Sequence, residues 1–563
     1  MNKIRLSFIC VLLLFFSEVI GQTVAPSKYY IQFTDKNNSP YSISNPEAFL
    51  TARALARRTA HGIAIQENDL PVNPQYIQEV AAQGVTVLEA SRWLNGVVIY
   101  ATNTNLVNSV ETLPFVNKTK TVIFTSGQEK EKPFFKNETY SKVNPNIPMK
   151  ASSFTEADYG YALTQIKQIS GIHLHDAGYL GQNMVIAVLD GGFSNVPNQT
   201  VFDSIHARNG ILGTKDFVYP DGDVYTESGH GREVLSCMAA DEPGLMIGTA
   251  PDASYWLLRS EDVKSENLIE EYNWVCAAEF ADSVGADIIN SSLGYIGFDD
   301  SSVSHTYADM NGRTAISTIG AEIAASKGIL VVNSAGNSGA DSSFPWIDAP
   351  ADGDSVFTIG AVDANGNRVY FSSIGPTYDG RIKPTVMALG LGATVADANN
   401  GILFGNGTSF SSPIIAGMCA CLWQAHPNVS NIQIINALKE TASNHTNPDN
   451  YMGWGIANFA KADSLLSADS ATGVNEIGSQ DAQISLFPNP FHLNLHIEVR
   501  GAKGRLYLSI YNLSGQKIFE KVYPSGMTSI IIGAGDLSFM SQGIYLMKLT
   551  SDNHVYFKKL VKN

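Results

Sequence analysis

From residue 162 to about residue 466, short apolar runs alternate with stretches of helical periodicity. Met184-Val185-Ile186-Ala187-Val188-Leu189 is apolar without alternation, which predicts a strand buried on both faces. Ser254–Leu258, Ala286–Asn290 and Ile329–Val332 read as further strands. Ile269–Val284 and Thr318–Lys327 carry helical spacing, and Gly328 stops the second. Strands and helices in alternation predict an α/β fold, a parallel sheet with helices on both faces. Such sheets hold ligands beyond the carboxyl ends of their strands. Asp190, Ser292-Leu293-Gly294 and Asn337 fall at those ends and are expected along one edge. A longer apolar run, Ile414 to Trp423, follows Gly405-Asn406-Gly407-Thr408-Ser409-Phe410-Ser411-Ser412-Pro413. Pro413 has no N–H to donate and fits a helix near its first turn, which dates the helix start to about Ser409. Apolar nearly all round, this helix is expected to be buried.

The flanks carry other patterns. Residues 28–124 read as a small α+β unit: strands at Tyr29–Phe33, Val85–Leu88, Gly96–Ala101 and Lys120–Phe124, with helices at Ala48–Arg58, Pro74–Gln83 and Leu106–Thr112. That order suggests a ferredoxin-like fold. Residues 126–156 change character, with the charge run Gln128-Glu129-Lys130-Glu131-Lys132 and then Pro133, Pro145 and Pro148, and read as a solvated linker open to proteolysis. Residues 480–563 hold short strands separated by turn signals, at Leu506–Tyr511, Lys517–Lys521, Thr528–Ile532 and Gly543–Leu549. They predict a small antiparallel β-sandwich.

Composition narrows the partners. The chain has 563 residues, too many for one typical domain, with 44% hydrophobic and 16% charged residues. Its net charge of −16 and lack of a basic patch give no reason to expect nucleic acid. The last 84 residues are opposite in sign, with nine Lys/Arg against five Asp/Glu. Met1–Gly21 reads as a secretory signal: Lys3 and Arg5, then an apolar Leu6–Phe16 too short to span a bilayer, then small residues before Gln22. No other segment is expected to span a membrane. Of the cysteines left after cleavage, Cys237, Cys276, Cys419 and Cys421, three sit in apolar helical runs. They are expected to be buried free thiols, and no Cys/His spacing suggests zinc.

Two polar groups stand at the starts of buried helices. Ser409 precedes the apolar run above, where free N–H groups and the positive dipole end meet. Alone it reads equally as a capping serine. His230, in Ser228-Gly229-His230-Gly231-Arg232, precedes Val234–Ala240 and is set apart from the other histidines by its flanking glycines. Asp190 ends a buried strand within reach of such a histidine, although a turn aspartate before two glycines is the plain alternative. Asn337, in Gly336-Asn337-Ser338-Gly339, is by itself a turn residue. A hydroxyl that attacks, an imidazole that takes its proton, a carboxylate that orients the imidazole and donors for the oxyanion are the parts of serine acyl transfer.

With Val188-Leu189-Asp190-Gly191-Gly192, Gly229-His230-Gly231, Ser292-Leu293-Gly294, Ser334-Ala335-Gly336-Asn337 and Gly407–Pro413 in this order, the sequence resembles the subtilisin-like serine proteases, the subtilase family, over about 300 residues. The resemblance implies Ser409 as nucleophile, His230 as base then acid and Asp190 as orienting carboxylate. It implies Asn337, with the Ser409 N–H, as oxyanion hole and Ser292-Leu293-Gly294 as the strand that pairs with substrate. Gly191-Gly192 after the aspartate and Arg232 after His-Gly depart from the family pattern. Ser338, next to Asn337, is uncharged and implies no sharp pocket preference. The first unit resembles subtilase propeptides, with a permanent accessory domain as the alternative. The last unit, through Leu486-Phe487-Pro488-Asn489-Pro490-Phe491, Gly543-Ile544-Tyr545 and Lys558–Lys562, resembles the C-terminal sorting domain of the type IX secretion system of Bacteroidetes.

The expected division is therefore 1–21 signal peptide, 22–125 propeptide, 126–161 linker, 162–467 catalytic domain, 468–479 linker and 480–563 sorting domain. The implied product is a secreted or surface-held zymogen acting on protein and peptide substrates, with its own propeptide and the secretion machinery as partners. No cofactor is required. Asp221, Asp223, Asp299 and Asp300 are candidates for structural calcium without ligand spacing that would assign one. A binding protein on the same fold and an esterase are the competing classes.

Overall fold

The structure is a computed structural model that describes residues 27–123, 138–142, 155–219 and 222–471, and then 483–487, 491, 495–500, 504–512, 516–527, 529–537, 540–541, 543–551 and 554–562. The expected signal segment, the Gln128–Lys132 charge run and Asp221 lie outside the described residues. Two compact units divide the chain, ending and beginning at Leu465 and Leu466.

In the first unit, seven strands form one sheet in the order Val386–Leu389, Phe357–Val362, Leu330–Ser334, Ile288–Ser291, Val185–Asp190, Ser254–Arg259, Ile211–Asp216. All neighbours are parallel. Every residue of Val185–Asp190 is buried, as its unbroken apolar run requires. Strand order reverses around this strand, so Asp190 ends at the switch point of the sheet, where α/β folds place ligands. The helices Ile269–Val284 and Ile316–Ser326 pack against each other, and Thr408–Ala425 runs along the strands.

Ahead of this domain, four antiparallel strands take the order Thr86–Ser91, Gly96–Ala101, Ser27–Phe33, Val116–Thr121, the ferredoxin-like arrangement. Two elements differ most from the sequence expectation. The first helix begins at Ala52, where Thr51 accepts a hydrogen bond from the Ala54 N–H, and Pro46–Ala48 forms a separate short turn. The last strand is the polar Val116–Thr121 rather than Lys120–Phe124. Apolar Val122 lies under the next domain instead, its carbonyl accepting from the Ile269 N–H at 3.0 Å. Tyr30, Trp93, Val98 and Val122 share one apolar core with Tyr272, Cys276 and the strands behind them. Around that core, Arg57, Arg58 and Arg92 converge on Asp282.

The linker reading of 126–156 needs a correction. Thr139–Lys142 forms a strand antiparallel to Ile402–Asn406, pairing Thr139 with Asn406 and Lys142 with Leu403. Thr-Tyr-Ser-Lys has no apolar pattern of its own, and the neighbouring strand supplies its order through the backbone.

The second unit holds a three-stranded sheet, Gln483–Phe487, Leu495–Arg500 and Ser529–Ile532, and a four-stranded one, Lys517–Tyr523, Leu506–Tyr511, Gly543–Ser551 and His554–Lys562, all antiparallel. Leu506, Leu508 and Ile510 are fully buried, as are Leu495 and Ile497, so alternate positions of both sheets build one core. Among the described residues no helix is long and apolar enough to cross a membrane. Cys237, Cys276, Cys419 and Cys421 are buried and unbridged.

Candidate active site

The helix carrying Ser409 spans Thr408–Ala425 and is buried through Trp423. Pro413 is its sixth residue, the helix starting one residue ahead of the expected Ser409. A proline there leaves the carbonyl of Ser409, four residues back, without its helical donor. Ser292 fills the gap: its hydroxyl donates to the Ser409 carbonyl at 2.9 Å. Asn290 Nδ2 in turn donates to Ser292 Oγ at 3.3 Å, and Ser412 Oγ donates to Asn290 Oδ1 at 2.9 Å. The Ser292 side chain therefore braces the turn that presents Ser409.

His230 opens the helix His230–Ala239, its N–H donating to Ser228 Oγ at 3.1 Å. The ring meets Asp190 at the end of the central strand, with Nδ1 2.8 Å from Oδ1 and 3.0 Å from Oδ2. Asp190 is fully buried and also accepts from the Gly191 N–H at 2.7 Å. The double glycine that set this loop apart has a local cause. Gly192 has φ +143, and a Cβ there would lie 2.8 Å from the Ser228 backbone nitrogen. Arg232 is buried too, donating to the carbonyls of Ser194 and Ala396 and pairing with Glu233 at 2.8 Å. It fastens the histidine's helix to the neighbouring loops. Burial alone would lower the His230 pKa, but the carboxylates of Asp190 and Glu138 reverse this and raise it well above the ordinary histidine range.

Asn337 follows the strand Leu330–Ser334, and its Oδ1 accepts from both the N–H and the hydroxyl of Thr408, each at 2.9 Å. That fixes which way the amide points. No motif or periodic element signals what lies against it. Glu138, ahead of the Thr139–Lys142 strand, receives a short hydrogen bond from Ser409 Oγ. Its Oε1 is 3.5 Å from Asn337 Nδ2, and its Oε2 is 3.4 Å from His230 Nε2. One carboxylate thus meets a hydroxyl, an amide and an imidazole at once. Tyr140 Oη donates to the same carboxylate at 3.3 Å.

Asp190, His230, Asn337 and Ser409 are thus gathered at one point, with Ser292 directly behind them. Leu293 is buried, and its carbonyl accepts from Asn333 Nδ2 at 3.0 Å. Among the described residues, the calcium candidates Asp223, Asp299 and Asp300 belong to no group of three converging carboxylates. Asp223 accepts from the Tyr225 N–H, Asp300 from the Ser302 N–H and Asp299 from the Glu266 N–H. Among the described residues, the carboxylates that approach within 4.8 Å of one another as a group of three are Glu261, Glu266 and Glu270, all buried.

A parallel α/β sheet with a helix-borne serine, a carboxylate-bonded histidine and an amide donor at its carboxyl edge defines the serine hydrolases of the α/β class. Comparison with known proteins narrows this. Residues 181–455 match the subtilase family, residues 28–137 the peptidase S8 propeptide domain of Bacteroidota, and residues 485–563 a secretion system C-terminal sorting domain. Subtilisin NAT of Bacillus subtilis subsp. natto is 30% identical over 57% of this chain and 76% of its own length. Subtilisin of Bacillus pumilus is 31% identical over 53% of this chain and 97% of its own. A solved structure of MycP1 with its N-terminal propeptide removed aligns at 24% identity and a TM-score of 0.41, covering 53% of this chain and 96% of that one. The chain belongs to the subtilase family. It is a serine endopeptidase made as a zymogen, and its sorting domain directs it outside the cell or to the cell surface.

Proposed function

We propose that the protein cleaves peptide bonds in protein substrates through an acyl-enzyme on Ser409. His230 takes the serine proton through Nε2 and returns it to the leaving amine. Asp190 holds Nδ1–H and stabilises the imidazolium. The Asn337 amide and the Ser409 N–H receive the oxyanion. The observation that carries this reading is the Glu138 carboxylate: an anion bound by Ser409, Asn337 and His230 together occupies the place where a tetrahedral intermediate would carry its charge. Substrate pairs with Ser292-Leu293-Gly294 through the backbone, a pairing that leaves the Ser292 hydroxyl to its bond with the Ser409 carbonyl.

A fluorophosphonate probe tests the nucleophile. Mass mapping of the matured protein is expected to find the adduct on Ser409, and an adduct on another serine sinks the assignment. Asn337→Ala is expected to lower kcat about 10²–10³-fold with little change in KM, because its amide strengthens its bond only in the transition state. Equal loss in kcat and gain in KM would mean a structural role.

The same contact makes Glu138 an internal plug, lying one residue past the propeptide match. The sign of its pH dependence follows from His230. Its pKa is raised with the plug in place, so the attraction is full while the ring is charged and fades as pH rises through that raised value. Self-activation of the purified zymogen, followed by gel, is expected to quicken with rising pH and to quicken at all pH values in Glu138→Ala. An unchanged time course in that variant would remove Glu138 from the latch. The mature N-terminus is expected between Ser126 and Tyr161, and sequencing that begins at Gln22 would contradict it.

A further inference from the structure

We infer that Asp348 gives this enzyme a preference for lysine or arginine immediately before the scissile bond, an inference that rests on the catalytic reading above. Gly336, directly before Asn337, has φ +101, and a Cβ there would lie 2.5 Å from Asp348 Oδ2. The carboxylate therefore lies against bare backbone beside the amide that would hold the oxyanion. On its other side, the Ala349 carbonyl accepts from the Tyr295 N–H at 2.8 Å, which ties Asp348 to the chain leaving Ser292-Leu293-Gly294. A residue whose carbonyl sits between Ser409 and Asn337, and whose backbone pairs with Leu293-Gly294, sends its side chain between these two segments, toward Asp348.

Asp348 is not a settled structural carboxylate. It is 2% exposed, and Oδ1 has no hydrogen-bond partner. A buried carboxylate oxygen without a donor is costly, and an arriving ammonium or guanidinium removes that cost. Its neighbour Asp352 is different, accepting from Thr318 Oγ1 at 2.5 Å and the Gly312 N–H at 2.7 Å. The surroundings deepen the negative field: burial, then Asp352 and Glu266, push the Asp348 pKa up, and Tyr295 Oη donates to Glu261 at 2.9 Å. A cationic side chain would relieve this and return Asp348 to its charged form. The chain also supplies matching sites of its own. Between residues 126 and 156 it carries Lys130, Lys132, Lys136, Lys142 and Lys150, and no arginine.

The test uses matured enzyme, with active sites counted by fluorophosphonate labelling, and peptide-coumarin substrates that differ only in the residue before the cut: Lys, Arg, Leu, Phe or Glu. The wild type is expected to favour Lys and Arg, and the mature N-terminus to follow a lysine. Asp348→Asn and Asp348→Ala are expected to lower kcat/KM for Lys and Arg by about 10–100-fold, the worth of a charge-assisted bond, and to leave Leu and Phe unchanged or faster. Replacing a buried carboxyl group whose Oδ1 lacks a partner should not unfold the protein, and equal thermal midpoints for the variants check this. No basic preference in the wild type, or a uniform loss across all five substrates in the variants, overturns the proposal while leaving labelling at Ser409 intact. Failure of wild-type labelling overturns the catalytic reading instead. Loss of the basic preference on chelation with EDTA, together with calcium bound by wild type and not by Asp348→Asn, would make the occupant a metal ion and also overturn it.

Discussion

Ser409→Ala is expected to lower casein hydrolysis by about 10⁶-fold in kcat, the magnitude that loss of the nucleophile has in subtilisin. The remaining groups explain why nothing smaller is expected. In the proposed mechanism, loss of the hydroxyl leaves His230 no proton to take and Asp190 no imidazolium to stabilise, so the three would act as a unit. What survives is the oxyanion site around Asn337 and substrate binding, which act on water as a poor nucleophile. KM should change little, since the hydroxyl contributes to the transition state more than to the bound substrate. The variant cannot mature itself, so it must be processed in trans before assay. If processed Ser409→Ala still digests casein at the wild-type rate, either a contaminant is at work or another serine attacks. If the wild type is inactive with its propeptide removed, the fold serves binding.

The candidate cluster was legible because each member stands at a punctuation mark of the fold. Asp190 closes an apolar run, His230 and Ser409 open apolar helices, and Asn337 follows the next strand but one in the sheet. Local pattern places Asp190 and Asn337 on one edge of a parallel sheet, and the order of the motifs, through the family resemblance, joins His230 and Ser409 to them. The bond made by the Ser292 side chain was not legible, because it follows from Pro413, 121 positions later, and the carbonyl that proline leaves without a donor. Glu138 and Asp348 were illegible for a related reason. Neither sits in a motif or a periodic element. Glu138 acquires meaning from a strand pairing with Ile402–Asn406, and Asp348 from the fold-back that sets it against Gly336. Sequence pattern reports on elements, whereas these side chains report on contacts between elements far apart in the chain.

The same holds for Arg57 and Arg58, which as helix residues look solvent-facing and are in fact 6% and 1% exposed. They carry the second large expected effect. Asp282 near the end of the Ile269–Val284 helix is fully buried and receives Arg57 at 2.5 Å, Arg58 at 2.8 Å and Arg92 at 2.8 Å. Arg58 continues to Asp69 at 2.9 Å, and Lys327 meets Asp69 at 3.1 Å. Two carboxylates therefore serve three guanidinium groups and one ammonium in a dry contact between propeptide and catalytic domain. Replacing Asp282 by alanine leaves buried cations without their partner, a change that costs about 3–5 kcal/mol when one side of such a pair is removed. In the Ser409→Ala zymogen, which stays uncut, urea unfolding is expected to show that loss. Propeptide added in trans to the Asp282→Ala mature domain should bind about 10²–10⁴-fold more weakly, the same energy expressed as affinity. Net attraction is not what the network must supply, since desolvation offsets much of the Coulomb gain. A fourfold variant, Asp282→Leu with Arg57, Arg58 and Arg92 all changed to methionine, should accordingly recover much of the stability that Asp282→Ala loses. If Asp282→Ala unfolds at the parent's urea midpoint, water must reach the three arginines, and the two domains are held by the apolar core around Tyr30 and Tyr272 alone.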